Sequence, residues 1–277
     1  ARSSFIVESL TKSSFFATAG PSIVVEGPTM TARALDAAGN RTSRTAVGET
    51  VPNVAAIGQT WNVPGDFATI QAAINAAAIG DTILVAPGTY SEALTINKVI
   101  TLEGANYRTN VSDLRSNPVR LNGSITVRDL GGVAWNQGAT IRGLYIISGY
   151  KAVISEAPLI VEYCYIQAID DGLSFEKGGG GIARYNMIEH LTENGSDDTI
   201  DVDNQTKHIW IEGNVLLNAE QDGLETRQND DTIPSLVRLT FINNWVEGSG
   251  QDGIQIMDYN NNSNREYYIA HNVFVGN

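Results

Sequence analysis

An asparagine returns at a nearly fixed interval through the second half of the chain, and this return narrows the possible folds more than any other feature. The segments YNMI, GNVL, NNWV and HNVF place Asn186, Asn214, Asn244 and Asn272 at separations of 28, 30 and 28 residues. A second mark keeps step with it. DDTI from Asp197, QDGL from Gln221 and QDGI from Gln251 follow the first three asparagines. An earlier DDGL from Asp170 follows Cys164, which stands in the asparagine's place. Asn214 precedes Asp222 by eight residues, and Asn244 precedes Asp252 by eight. Two marks holding one offset define a repeat whose units bury their apolar faces only by stacking on their neighbours.

Within each unit, short runs such as HIWIE from His208 and YYIAH from Tyr267 alternate apolar and polar residues, the period of a strand rather than a helix. Units of this size, with two or three short strands between Gly, Asn and Asp turns, form coils of a parallel β-helix. Inward Ile, Leu and Val fill its core. A buried amide recurring where leucine is expected fits a hydrogen-bonded ladder from coil to coil. The asparagines are therefore read as structural, as are His208 and His271.

The first half fits the same scheme with shorter coils: TILVA and LTI, then ITLEG from Ile100, ATIRGLYI from Ala139 and LIVEYCYI from Leu159. Before them, residues 67–78 carry Phe67, Ile70, Ile74 and Ala77 on one helical face. Asp66 is the expected N-cap and Gly80 the expected stop. Such a helix would cover core and strand edges at the start of the stack. Residues 1–58 read differently. TMTARALDAAGNRTSRTAV alternates around an AGN turn, resembling the closing hairpin of a bacterial Ig-like module, and VPNVAAIGQT reads as a linker. The expected organisation is all-β: a short N-terminal β segment over 1–58 and a parallel β-helix over 59–277.

From Asp66 to Gly104 the pattern A-x-x-GDTI-x-V-x-PGTY-x-E resembles the start of right-handed parallel β-helix proteins of the pectate-lyase-like superfamily. The later DGL/DGI and GN/NN units resemble that superfamily's coil repeats. The resemblance spans about residues 60–277. It implies the fold; for activity it leaves open lyases, hydrolases, esterases, tailspikes, adhesins and surface proteins.

A net charge of −13 over 277 residues excludes the basic face that nucleic-acid binding needs. No apolar run is long enough for a membrane span. The acidic residues instead concentrate in the repeat. Aligning the coils on Asp171, Asp198, Asp222 and Asp252 points Leu173, Ile200, Leu224 and Ile254 inward. It places Ser174, Asp201, Glu225 and Gln255 in one outward column, and Glu176, Asp203, Arg227 and Met257 in the next. Carboxylates this close repel unless they share a proton, an arginine or a cation, and calcium tolerates irregular oxygen sets. Asp-Gly pairs also turn corners by themselves, because aspartate caps backbone and glycine accepts positive φ.

In the superfamily's calcium-dependent polysaccharide lyases, acidic side chains on one face hold an ion that binds the substrate uronate, and a Lys or Arg takes the proton. The spacing Asp197-Asp198-x-x-Asp201, with Asp170 or Asp171 one coil earlier, is similar to one such site. This gives an expected Ca2+ site of Asp171, Asp197, Asp198, Asp201, Asp203 and Glu225. The candidate catalytic residues are Arg227, Lys207 and Glu225, and the candidate substrate contacts are Trp210, Tyr268 and Arg238. Asp201 with Glu225 would serve a hydrolase, which needs paired carboxylates. The expected partner is an acidic polysaccharide or cell-surface glycan, and the expected location is extracellular or at the cell surface. A second reading stays open: a non-catalytic surface or filament protein joined through β-helix ends or N-terminal strands, since the sequence stops inside a repeat at HNVFVGN.

Overall fold

The computed structural model describes residues 31–35, 41–45, 58–105, 118–177, 179–191, 197–229, 233, 235–259 and 264–277. Most of the linker expected over 51–60 lies outside them. The chain divides into two units, Ala1–Ala55 and Ala56–Asn277. In the first, Thr31–Leu35 pairs antiparallel with Arg41–Thr45, Thr31 opposite Thr45, around the AGN segment. No described helix is long and apolar enough to cross a membrane.

The second unit is a parallel β-helix. Its described strands form three parallel sheets of nine, eight and seven strands, each strand bonded to its counterparts one coil away. The first sheet runs from Thr60–Val63 to Arg265–Ala270, the second from Gly88–Tyr90 to Val273–Val275, and the third from Leu94–Ile96 to Gln255–Asp258. ATIRGLYI and LIVEYCYI each supply two strands, Ala139–Arg142 with Tyr145–Ser148 and Leu159–Glu162 with Tyr165–Ala168. Alternation sends Ile141, Val161, Ala183, Ile211 and Phe241 from successive first-sheet strands into a fully buried core.

First and second sheets meet at a two-residue corner whose leading residue is left-handed: Gly143, Tyr163, Tyr185, Gly213, Asn243 and His271 have φ between 52° and 68°. A left-handed backbone costs a residue with a Cβ about 1–2 kcal/mol. Tyr163 and Tyr185 adopt it while stacking on each other at 5.2 Å. At Gly213 a Cβ would stand 2.7 Å from the Tyr185 ring, so the corner needs glycine for space as well as for φ. The residue after each of these is the repeating position, and the amide ladder is there. The backbone N–H of Cys164 donates to Asn186 Oδ1 (2.9 Å), that of Asn186 to Asn214 Oδ1 (3.0 Å), that of Asn214 to Asn244 Oδ1 (2.9 Å) and that of Asn244 to Asn272 Oδ1 (2.8 Å). Cys164 ends the amide ladder: its thiol reaches the preceding coil only through a weak contact to Ile141 O at 3.9 Å. Burial pushes its thiol up to about 12, so it stays protonated.

The helix is shorter than expected, Ile70–Ala76, and its N-cap is Thr69 rather than Asp66. Asp66 is engaged elsewhere: its Oδ2 accepts from the Asn62 backbone N–H at 2.7 Å and from Asn62 Nδ2 at 3.0 Å, closing the turn before the helix. Thr69 Oγ1 accepts from Ala72 N, while the Glu92 carboxylate takes the N–H groups of Ile70 and Gln71. A carboxylate at this end satisfies orphan donors and opposes the helix dipole. The apolar face is as read: Ile70 and Ile74 are fully buried, Ala77 is buried, and Phe67 packs edge-on against Trp61.

Candidate functional site on the third sheet

The third sheet arranges the acidic residues in columns. Strands Val153–Ser155, Leu173–Phe175, Ile200–Asp203 and Leu224–Gln228 pair so that Val153, Leu173, Ile200 and Leu224 share a level in the core. Two residues before each stand Lys151, Asp171, Asp198 and Asp222, with Asp252 one coil further on. These aspartates do turn the corners. Asp171 Oδ1 accepts from Asp198 N (3.4 Å), Asp198 Oδ1 from Asp222 N (2.8 Å) and Asp222 Oδ1 from Asp252 N (2.8 Å). A carboxylate ladder thus runs along this corner as the amide ladder runs along the other.

The outward columns have the register read from the sequence: Ser174, Asp201, Glu225 and Gln255 are successive partners, and so are Asp203, Arg227 and Met257. Their exposure differs from the expectation. Asp201 and Glu225 point away from the core, yet they are only 5% and 2% exposed. Asp203 is half-buried and Arg227 exposed, so only the second column reaches the surface.

Lys151 organises one side of the cluster. Its Nζ lies 2.8 Å from Asp171 Oδ2, 2.8 Å from Glu176 Oε1, 3.2 Å from Ser174 Oγ and 3.9 Å from Asp201 Oδ2. Burial alone would lower its pKa, but hydrogen bonds and charge from Asp171 and Glu176 outweigh that and hold the ammonium well above its ordinary value. On the other side, Arg227 pairs with Glu225. Burial works against its charge too, and the Glu225 and Asp203 carboxylates reverse the effect.

Seven carboxyls, Asp171, Glu176, Asp198, Asp201, Asp203, Asp222 and Glu225, thus face two side-chain cations. Burial pushes Asp171 up to about 6 against the pull of Lys151. It pushes Asp201 up to about 8, with the charges of Asp171 and Asp203 adding to it. Asp198 rises to about 9, through burial and then the neighbouring Glu225. Asp203 is also raised by burial, against Arg227. Asp201 Oδ1, Asp203 Oδ1 and Asp222 Oδ2 are buried without a hydrogen-bond partner. Groups of this kind cluster where a protein binds or reacts.

The expected six-ligand cation set is divided by this geometry. Asp171 and Asp197 fall with Asp170 in one group whose oxygens lie within 4.8 Å of one another, and Asp198 falls with Asp222 and Glu225 in another. Asp201 and Asp203 belong to neither. Lys151 supplies, between Asp171 and Asp201, the positive charge expected of an ion there. The unpartnered oxygen of Asp201 is of the type a hard cation takes, but among the described residues no set of three acidic ligands gathers around it.

The expected substrate contacts lie on the first sheet. Trp210, Thr240 and Tyr268 form one of its outer columns, with Trp210 Nε1 donating to Glu212. Arg238 pairs with Glu266 at 2.6 Å. Lys207 lies between the third-sheet strand Ile200–Asp203 and the first-sheet strand Ile209–Glu212. Further along that face Arg142 bridges Glu103 and Glu162, and Arg184 returns to Glu162, an alternating ladder that leaves these charges matched. His208 is structural as read: its Nδ1 accepts from Arg238 N, and its ring packs edge-on against Trp135. Sequence reasoning missed Lys151 and treated Asp222 only as a corner. Carrying the aspartate column one coil back, from DDGL to YKAVI, would have found the lysine.

No family model matches the chain, and no curated protein does. Among solved structures, a pectin methylesterase from Aspergillus niger aligns with a TM-score of 0.53 and 15% identity, over 81% of this chain and 87% of that one. A second form of the same enzyme, with an N-acetylglucosamine stub, gives 0.53 and 16%, over 82% and 89%. A pectate lyase aligns at 0.45 and 17% over 77% of this chain and 57% of that one. At such identities the likeness concerns the fold alone, and the three stacked parallel sheets agree with it: the second unit is a right-handed parallel β-helix.

Proposed function

We propose that the outer face of the third sheet binds and cleaves an acidic polysaccharide outside the cell, with calcium between the face and the sugar carboxylate. The observation that supports this reading is the buried, partnerless carboxylate oxygen of Asp201, with the half-buried Asp203 and the exposed Arg227 beside it. A face so rich in carboxylates repels a polyuronate, so an acidic polymer needs a cation to approach it. When bound, calcium would neutralise the uronate carboxylate and acidify the neighbouring C–H.

Arg227 and Lys151 are both held protonated by their carboxylate partners and serve poorly as bases in this arrangement. Arg227 instead presents a guanidinium to a second sugar carboxylate. The proton acceptor on this face is Asp203, half-buried and raised toward the range where a carboxylate works as a general base. β-Elimination then moves the C–H proton to Asp203, forms the C=C bond and breaks the glycosidic C–O bond, and water protonates the leaving oxygen. A hydrolase would draw on Asp201 and Glu225, which at 5% and 2% exposed do not meet a polymer. They are register partners on adjacent strands, where equivalent residues lie about 4.8 Å apart.

Incubation with polygalacturonate, methyl-esterified pectin and other polyuronates, in calcium and in chelator, separates the readings. Elimination yields an ultraviolet-absorbing unsaturated product that disappears with chelator. Hydrolysis yields reducing ends without that absorbance, and de-esterification yields methanol alone. Absence of any product across the panel would overturn the catalytic reading and leave a binding or structural protein.

A further inference from the structure

We infer that a divalent cation of the calcium kind binds between Asp198, Asp222 and Glu225 and clamps two consecutive coils of the β-helix. The site goes beyond the reading above, because these three side chains are 4%, 0% and 2% exposed and cannot meet a polymer. Asp198 comes from one coil, and Asp222 and Glu225 from the next. One oxygen from each lies within 4.8 Å of the others, about the span that an ion with 2.3–2.6 Å oxygen bonds can bridge.

One observation, independent of the clustering, points to a ligand. Asp222 is fully buried, and its Oδ2 has no hydrogen-bond partner, while its Oδ1 is committed to Asp252 N. A buried carboxylate oxygen left bare is costly, and proteins satisfy such groups with a donor, a water or an ion. The charges close as well. Three carboxylates are opposed locally by the single guanidinium of Arg227, and one divalent ion removes the remainder. Each corner carboxylate already spends one oxygen on the next coil's N–H, so the ion ties together groups whose orientation the ladder has fixed.

The test is thermal unfolding and calorimetric titration of the whole chain after chelation, with calcium, with magnesium and with sodium at matched ionic strength. Calcium at about 100 times its dissociation constant is expected to raise the midpoint by about 5–10 °C. Asp222→Asn is expected to lose most of that rise, and Glu247→Gln, an acidic position on the second sheet, to keep it. Absence of both heat and stabilisation in the parent chain, or an undiminished rise in Asp222→Asn, would overturn the site. If Asp222→Asn does not fold, a crystal of the parent chain grown in calcium decides: an ion within ligand distance of Asp222 Oδ2 supports the inference, and ions only elsewhere contradict it. Loss of turnover in Asp203→Asn with calcium stabilisation intact would bear on the functional reading alone.

Discussion

Replacing Lys151 with methionine is expected to destabilise the β-helix by about 3–5 kcal/mol, the range for breaking a buried ion pair from one side. Among the described residues the lysine is the cation paired with Asp171, which is 4% exposed, and it also contacts Glu176 and approaches Asp201. Methionine fills the aliphatic volume but leaves these carboxyls to take up protons or admit water. Denaturant midpoints with calcium held constant measure the loss, and a change under about 1 kcal/mol would contradict the role assigned to Lys151. Arginine should rescue poorly, because a planar fork does not present the compact charge that meets two carboxylates and a hydroxyl here. The pH dependence has a definite sign. Burial raises Asp171 and Asp201 from an ordinary 3.8 to about 6 and about 8, so the folded chain keeps protons that the unfolded chain releases. Their contribution is fully present below about pH 4 and drains as pH rises through 6 and 8. Without Lys151 the loss deepens across that window, so Lys151→Met should cost more at pH 8 than at pH 5.

Asn214→Leu should be the other severe change, at about 2–4 kcal/mol. Asn214 Oδ1 takes both the backbone N–H and the Nδ2 of Asn186, and its own Nδ2 donates to Ala183 O at 2.9 Å and to Asn244 Oδ1 at 3.0 Å. Leucine suits the surrounding apolar core in volume but strands the Asn186 N–H and the Ala183 carbonyl where water does not reach, at about 1–3 kcal/mol for each group. Asn272, half-buried and last in the ladder, supplies bonds in one direction only, so Asn272→Leu should cost less. Equal losses at the two positions, by denaturant midpoint, would argue against a ladder whose interior rungs matter most.

The ladder and the stack were legible because they repeat. Asn186 to Asn272 keep their spacing, and the alternation in LIVEYCYI and HIWIE separates core from surface without knowledge of the neighbours. The register Ser174–Asp201–Glu225–Gln255 followed from the same alignment. What was not legible depends on packing that no spacing encodes. Asp201 leaves the core but not the protein, because period-2 alternation reports direction and not cover. Lys151 escaped a search for acidic marks, since it occupies an aspartate's position with the opposite charge. Asp66 was a sound N-cap by type; Thr69 displaces it because Asn62 claims the Asp66 carboxylate and Glu92 arrives from another coil to hold the helix end. The alternation already reads Trp210 and Tyr268 on a different strand from the acidic face, and the register puts them with Arg238 on the first sheet.

That separation of faces provides the most direct test of where the protein works. Initial rates on the best substrate of the polyuronate panel should fall about 100-fold or more in Asp203→Asn and Arg227→Ala, the scale on which a lost proton-transfer group or charge contact is felt. Trp210→Ala and Tyr268→Ala, on the first sheet, should stay within about threefold of the parent, since neither touches the third-sheet columns. The reverse pattern, with the first-sheet aromatics essential and Asp203 and Arg227 dispensable, would contradict the assignment of the third sheet as the working face.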